Sequence, residues 1–307
     1  MNNPSYLRLF ANTLTRAGSG SDILYRYSST THEYTYLGQY LTGISSNPYI
    51  NGIDSRLSRI HVSWCYRNFV LFPESAVKDA HKQQAGPNGP ENNCDLNYAY
   101  SDDEGETWNS SDGEVMAKLG SAVENGIAST IRTGARGARI FEIPMGSGIL
   151  NQEAQCADWI GGFWVLNREK SNGKETWMVY HRDPKGLETT CQIPIRADLL
   201  GTWLKRPIMS TSPPTEIGAR GSICVDRKNN VYLVLPGNSD SSLEILQARS
   251  EDKHEKFETV WRCENGYDGE PLVDVQRLET SDTLSLFTRT DKNGGGIRSV
   301  AVVDFYL

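Results

Sequence analysis

The chain has 307 residues, 38% hydrophobic and 22% charged, a globular rather than a disordered composition. Its 31 Lys+Arg against 38 Asp+Glu give a formal charge of −7 with no basic run or stripe, which argues against a nucleic-acid partner. No stretch approaches the ~20 apolar residues of a membrane-spanning helix, and the length suffices for one large all-β domain, read here as residues 1–307.

In chain order, Met1-Asn2-Asn3-Pro4-Ser5 leads straight into the strand-like run 6–10 with no charged-then-apolar leader, so the literal expectation is a cytoplasmic protein. Further strand-like runs occupy 23–27, 34–40, 58–66, 97–100, 161–167, 176–181, 230–235, 242–247, 284–290 and 297–305. Each is short, rich in β-branched or aromatic residues, and bounded by Gly, Asn, Asp or Ser. The best helical candidates are short, at 73–83 and 198–204, and 85–93 reads as a surface loop. A turn running into a hydrophobic strand recurs at 58–64, 160–166 and 228–234, as a blade repeat would leave it. At ~45–55 residues per blade the chain supplies about five to six four-stranded antiparallel blades, an incomplete or open propeller ring.

Residues 101–108, Ser-Asp-Asp-Glu-Gly-Glu-Thr-Trp, read S-x-D-x-G-x-x-W, the Asp-box turn that joins the outer strands of a propeller blade. Asp103 can accept backbone N–H groups in the tight turn, Gly105 can adopt positive φ, and Trp108 can pack on the blade beneath, with Ser101 opening the motif. A charged hairpin that happens to precede a tryptophan is the plainer alternative. Seven Trp and fourteen Tyr suit a pocket that meets sugar rings, and equally any β-rich core. The six cysteines are dispersed with no C-x-x-C pair, which argues against zinc. Cys65 and Cys224 sit in strand-like runs as buried thiols, and Cys94, in a polar loop, is the candidate for a disulfide.

Strand alternation over 59–67 puts Ile60, Val62, Trp64 and Tyr66 on one face and His61, Ser63, Cys65 and Arg67 on the other. Arg67 falls at the strand end, where its guanidinium could reach a central pocket or serve as a rim ion-pair partner. Asn51 precedes that strand. Asn151, Gln152 and Gln155 form a polar cluster that could bind sugar hydroxyls or a cation, or bridge blades as buried amides. His181 and Arg182 open a further turn and are expected to be structural or to line the pocket.

The runs 5–10, 15–29, 34–41, 47–53, 59–67 and 95–108, with 150–158, 180–184, 235–237, 270–274 and 303–307, resemble the BNR-repeat-containing propeller family. That family includes fungal L-rhamnose-α-1,4-D-glucuronate lyases and bacterial ulvan lyases. The resemblance spans the whole chain and implies a secreted polysaccharide lyase with a ring of about seven blades. It implies an arginine pair that neutralises a uronate carboxylate, matching Arg16 in Thr15-Arg16-Ala17-Gly18-Ser19-Gly20 and Arg67. It matches the family's acid/base tyrosine to Tyr6. The family places two histidines in a blade before Tyr6, and nothing here corresponds to them. The Tyr6-to-Arg16 interval is also shortened. The resemblance thus implies an N-terminally truncated member with half an acid/base set, in which activity could be lost. A calcium ion near the propeller axis is known in the family, although no D-x-D-x-D loop here demands one.

The implied partner is an acidic oligo- or polysaccharide, with rhamnosyl-glucuronate of arabinogalactan or gum type as the expected substrate. A non-catalytic sugar-binding or interaction propeller is the second reading. An α-L-rhamnosidase or a sialidase-like hydrolase is the third. In a sialidase, Arg16, Arg67 and one of Arg182 or Arg220 would form an arginine triad, but no R-I-P segment supports it.

Overall fold

The computed structural model describes residues 10–12, 19–69, 89–120, 127–150, 152–171, 173–183, 202–210, 212–214, 219–237, 242–290 and 296–307. Their regular structure is almost wholly β, in two compact units that divide after Gln152.

In the first unit, β1 (Phe10–Asn12), β2 (Ser21–Ser28) and β3 (Glu33–Thr42) form one antiparallel sheet. A second sheet runs β4 (Ser46–Arg56), β5 (Arg59–Asn68), β6 (Asn93–Ser101), β7 (Thr107–Asn109), β8 (Val115–Lys118), with β9 (Arg139–Phe141) added on β6. The alternation of β5 sends Ile60, Val62, Trp64 and Tyr66 into a buried cluster with Leu24, Tyr40, Leu41 and Trp108. At about 1.5–3 kcal/mol for each large apolar side chain removed from water, this seam holds the two sheets together. The opposite face of β5 is buried but polar. His61 Nδ1 lies 2.7 Å from the Tyr98 hydroxyl, and Cys65 Sγ lies 3.9 Å from the Leu150 carbonyl. β4 and β5 are joined through Leu57 and Ser58, at φ 52° and 64°. A two-residue hairpin demands that backbone and more often recruits Asn-Gly for it.

Among the described residues the second unit has three sheets. One runs β10 (Ala154–Ala157), β11 (Phe163–Ser171), β12 (Lys174–Asp183), β13 (Thr202–Pro207), and the next β14 (Ser222–Val225), β15 (Val231–Pro236), β16 (Leu243–Ala248), β17 (Glu258–Cys263). The last is β18 (Tyr267–Val273), β19 (Thr283–Thr290), β20 (Val300–Tyr306). Alternate residues of the middle sheet serve two seams. Ile223, Val225, Val231 and Leu233 join Trp164, Leu166, Trp177 and Val179, while Cys224, Tyr232 and Val234 join Leu278, Leu284 and Leu286.

The recurring turn-then-strand pattern has a common cause in two of its three places. Asp158 follows β10 and accepts the N–H groups of Ile160 and Gly162 at 3.0 and 2.6 Å. Asp226 follows β14 and accepts those of Lys228 and Asn230, both at 2.8 Å. Each aspartate stands in for the backbone acceptor that closes the turn.

Three expectations change. Residues 202–204, read from sequence as the end of a short helix, open strand β13, because Trp203 and Leu204 are both buried there and Trp203 meets Phe163 edge-on. The other helical candidate, 73–83, lies outside the described residues. A helix that was not anticipated, α1 (Val275–Ser281), follows β18, capped by Asp274, whose side chain accepts the Arg277 N–H at 2.9 Å. Cys94 is a buried free thiol rather than a disulfide partner, like Cys65, Cys156 and Cys224.

Candidate functional site

Arg67 sits where β4, β5 and β6 come level, with Asn47 opposite it on one side and Asn93 on the other. Its Nε donates to Asn93 Oδ1 at 2.9 Å, and its guanidinium lies over the Tyr49 ring, 4.6 Å from the centroid. Asn93 is itself fully buried and donates Nδ2 to the Ile149 carbonyl at 3.0 Å, so the arginine leans on a fixed amide. An aromatic face and a planar acceptor together set the guanidinium plane, the geometry that bidentate carboxylate recognition requires.

The same strand end receives the chain that follows Arg16. Ser19 bridges to Ser46, the Gly20 N–H donates to the Ser46 carbonyl at 3.2 Å, and Gly43 N–H donates back to Gly20 at 2.8 Å. Ser46 in turn pairs with Asn68, the neighbour of Arg67. A side chain at Gly20 would displace the Asn47 amide, because a Cβ there would stand 2.5 Å from Asn47 Oδ1. Tyr6, Arg16 and Asn151 lie outside the described residues.

The other candidates are placed as follows. Asn51 is the extra residue of a β-bulge between Ile50 and Gly52, and its Nδ2 donates to Ser63 Oγ at 3.0 Å. Gln152 is exposed, with φ 58°. His181 and Arg182 do not open a turn: both are buried inside β12, between Trp164 and Phe163 on β11 and Leu204 and Trp203 on β13. His181 stacks flat on Trp164, centroids 3.5 Å apart at 9°, and burial pushes its pKa well below the usual histidine range. A neutral imidazole packed on indole is part of the core of this sheet.

The Asp-box residues make one closed set of bonds between β6 and β7. Ser101 Oγ donates to Asp103 Oδ1 at 2.8 Å and receives the Gly105 N–H at 2.9 Å. Asp103 also accepts the Thr107 N–H at 2.7 Å. Burial pushes the Asp103 carboxyl up, but the bonds from Thr107 and Ser101 outweigh it and leave the pKa below the usual value. Gly105 has φ 94°, its carbonyl accepts Trp108 Nε1 at 3.0 Å, and Trp108 stacks on Tyr40 at 5.2 Å.

Three buried ionisable side chains, Asp22 and the pair Arg168–Glu153, had no sequence signal. Asp22, beside Tyr40 in the seam of the first unit, has its carboxyl pushed up to about 7 by burial, against a lowering hydrogen bond from Tyr40. In the second unit, Arg168 donates to Glu153 Oε1 (2.8 Å) and to the carbonyls of Pro214 (2.8 Å) and Ala219 (2.7 Å). Glu153 also accepts the Gly221 N–H at 2.9 Å. This buried pair therefore grips the segment that leads into β14 and sets the backbone beside Arg220, which donates to Glu270 at 2.7 Å. Among the described residues no three His, Cys, Asp or Glu side chains gather as metal ligands.

Residues 10–193 match the model of the family described as "BNR repeat-containing family member". No curated protein matches the sequence. Among solved structures, the fold is similar to polysaccharide lyase Uly1 (TM-score 0.60, 12% identity), with 98% of this chain covering 55% of that one. It is also similar to the polysaccharide lyase PL25 ulvan lyase bound to -[GlcA(1-4)Rha3S]- (TM-score 0.54, 10% identity, 96% of this chain and 63% of that one). A third is Penicillium chrysogenum α-L-arabinanase complexed with arabinobiose (TM-score 0.50, 9% identity, 97% and 71%). The chain thus spans between about half and two thirds of the length of the two lyases. With these likenesses the fold is a β-propeller of antiparallel blades; of the five sheets among the described residues, two are four-stranded.

Proposed function

The chain belongs to the BNR repeat-containing family, and from that premise we propose that it is a carbohydrate-active propeller that cleaves an acidic polysaccharide by β-elimination at a uronate. The observation that carries this reading is the meeting of the Ser19–Gly20 segment, just past Arg16, with the strand end that holds Arg67. A uronate C5 proton is α to a carboxylate and hard to remove while that carboxylate keeps its charge. Two guanidinium groups on the carboxylate stabilise the enolate-like charge that develops as the proton leaves. The electron pair then forms the C4–C5 double bond, the C4–O bond breaks, and the departing oxygen takes a proton. Arg67 and Arg16 are assigned to the carboxylate and Tyr6 to proton transfer, with rhamnosyl-glucuronate of arabinogalactan or gum type as the substrate.

The test incubates the full chain with gum-arabic arabinogalactan and with ulvan. It follows absorbance at about 235 nm, where the unsaturated uronate made by elimination absorbs, alongside new reducing ends. Absorbance should rise, and Arg67→Ala should slow the rise by about 100-fold or more, the scale of losing one preorganised charge-stabilising group. Arg67→Lys should restore little of it, because an ammonium cannot make the two-pronged contact. Reducing ends without absorbance would make the protein a hydrolase, the chemistry for which its arabinanase fold relative is named. Retention on polysaccharide with neither signal would make it a binding module.

A further inference from the structure

The β2–β3 hairpin carries four tyrosines on one face. Tyr25 stands directly across from Tyr36, and Tyr27 from Tyr34, with ring centroids 5.1 and 5.0 Å apart. The residues that alternate with them on β2 point the other way. Leu24 enters the buried seam, and Arg26 donates to Glu104 of the Asp-box turn at 2.9 Å. The tyrosines therefore occupy the face turned away from the core. Tyr36 keeps 55% and Tyr34 49% of its surface in water. At the hairpin tip the Tyr27 hydroxyl lies 2.8 Å from His32 Nδ1, which adds an imidazole to the rings.

Cross-strand ring pairs steady a hairpin, yet the seam beneath already anchors this one through Leu24, and half-exposed rings are costly surface. Their chemistry points to the occupant. A sheet face packed on another sheet interdigitates apolar side chains with it. This face instead presents flat rings, each with a hydroxyl at its tip, apolar in the middle and polar at the edge. That pattern matches a sugar ring, whose axial C–H face is apolar and whose rim carries hydroxyls.

We propose that Tyr25, Tyr27, Tyr34 and Tyr36 form a carbohydrate-binding platform on which pyranose rings of a polysaccharide stack, with the tyrosine hydroxyls and His32 bonding the sugar hydroxyls. It rests on the reading of the protein as carbohydrate-active, but not on the lyase chemistry. Six residues of strand separate Ser21, near the Arg67 end, from Tyr27, about 20 Å of extended chain. One sugar unit cannot reach both places, so the platform holds the polymer while another part of it is at Arg67.

The experiment is affinity electrophoresis of the full chain through gels containing gum-arabic arabinogalactan, ulvan or arabinan. At least one polymer should retard the wild type, and Tyr34→Ser/Tyr36→Ser should weaken that retardation about tenfold. On the wild type itself, acetylation of Tyr34 and Tyr36 by N-acetylimidazole, mapped by mass spectrometry, should slow when the retarding polymer is present. This second arm is independent of how well the variant folds. Equal retardation of variant and wild type, no retardation on any gel, or undiminished acetylation would each overturn the platform. A dimer in sedimentation that the double substitution dissolves would do the same, by assigning the face to a second copy of the chain. Retardation of the wild type with no cleavage of any polymer speaks only against the lyase reading, so the two proposals fail separately.

Discussion

Arg168→Met tests how the second unit holds together. The substitution keeps most of the apolar stem but deletes the charge, and with it the guanidinium that lies over Trp177, 4.6 Å from the ring centroid. Three charge-assisted bonds go with it, to Glu153, Pro214 and Ala219, and the Glu153 carboxylate is left buried with the Gly221 N–H. Breaking a buried pair from one side costs about 3–5 kcal/mol, mostly for stranding the remaining charge. Burial already pushes the Glu153 carboxyl upward and Arg168 opposes it. Without Arg168 the folded-state pKa climbs further above the unfolded one, so the folded protein gains stability from a proton at low pH and loses it as pH rises. The deficit should therefore be near its full size at pH 8 and clearly smaller at pH 5. Replacing both partners, Glu153→Gln with Arg168→Met, removes the stranded charge and should recover most of the loss. Urea titrations at the two pH values give the comparison, with tryptophan fluorescence as the probe. A deficit below about 1 kcal/mol, or one equal at pH 5 and pH 8, would refute the account of Glu153 as a carboxylate that needs Arg168.

Two further predictions concern the first unit. Asp22 has its folded pKa raised from 3.8 to about 7, so it favours the folded state below its unfolded value, and stability falls as pH climbs through about 7. Asp22→Asn should remove that fall, gaining up to about 4 kcal/mol over the wild type at pH 8 and little at pH 4, at ~1.36 kcal/mol per unit of pKa; parallel urea curves for the two proteins would contradict the burial. Gly105→Ala forces a Cβ to φ 94° and to within 2.6 Å of Leu24 Cδ2, so thermal unfolding should show a loss of about 2 kcal/mol or more. A loss under about 0.5 kcal/mol would mean that the turn relaxes freely.

Local chemistry was legible without coordinates wherever neighbours in sequence are neighbours in space. The Asp-box bonds link residues at most four apart, and the two faces of β5 follow from a period of two, so both could be read in advance. Misreadings came where a local signal met a distant contact. The sequence has His181 and Arg182 opening a turn, yet the strand runs on through Asp183, because both pair across to β11 and β13. The segment ending at Leu204 looked helical until β12 supplied its hydrogen-bond partner.

The candidate site divides along the same line. Alternation alone brings Arg67 to the end of a strand. That the Ser19–Gly20 segment meets that strand end, and that an asparagine 26 residues away holds the guanidinium, depends on how β4, β5 and β6 come level. The composition of the chain determined an all-β fold of blades and turns, since strand periodicity and Asx chemistry act over a few residues. Only the tertiary structure decided which charges are buried together and which tyrosines face water, because burial and pairing are properties of elements meeting, not of any stretch of chain by itself.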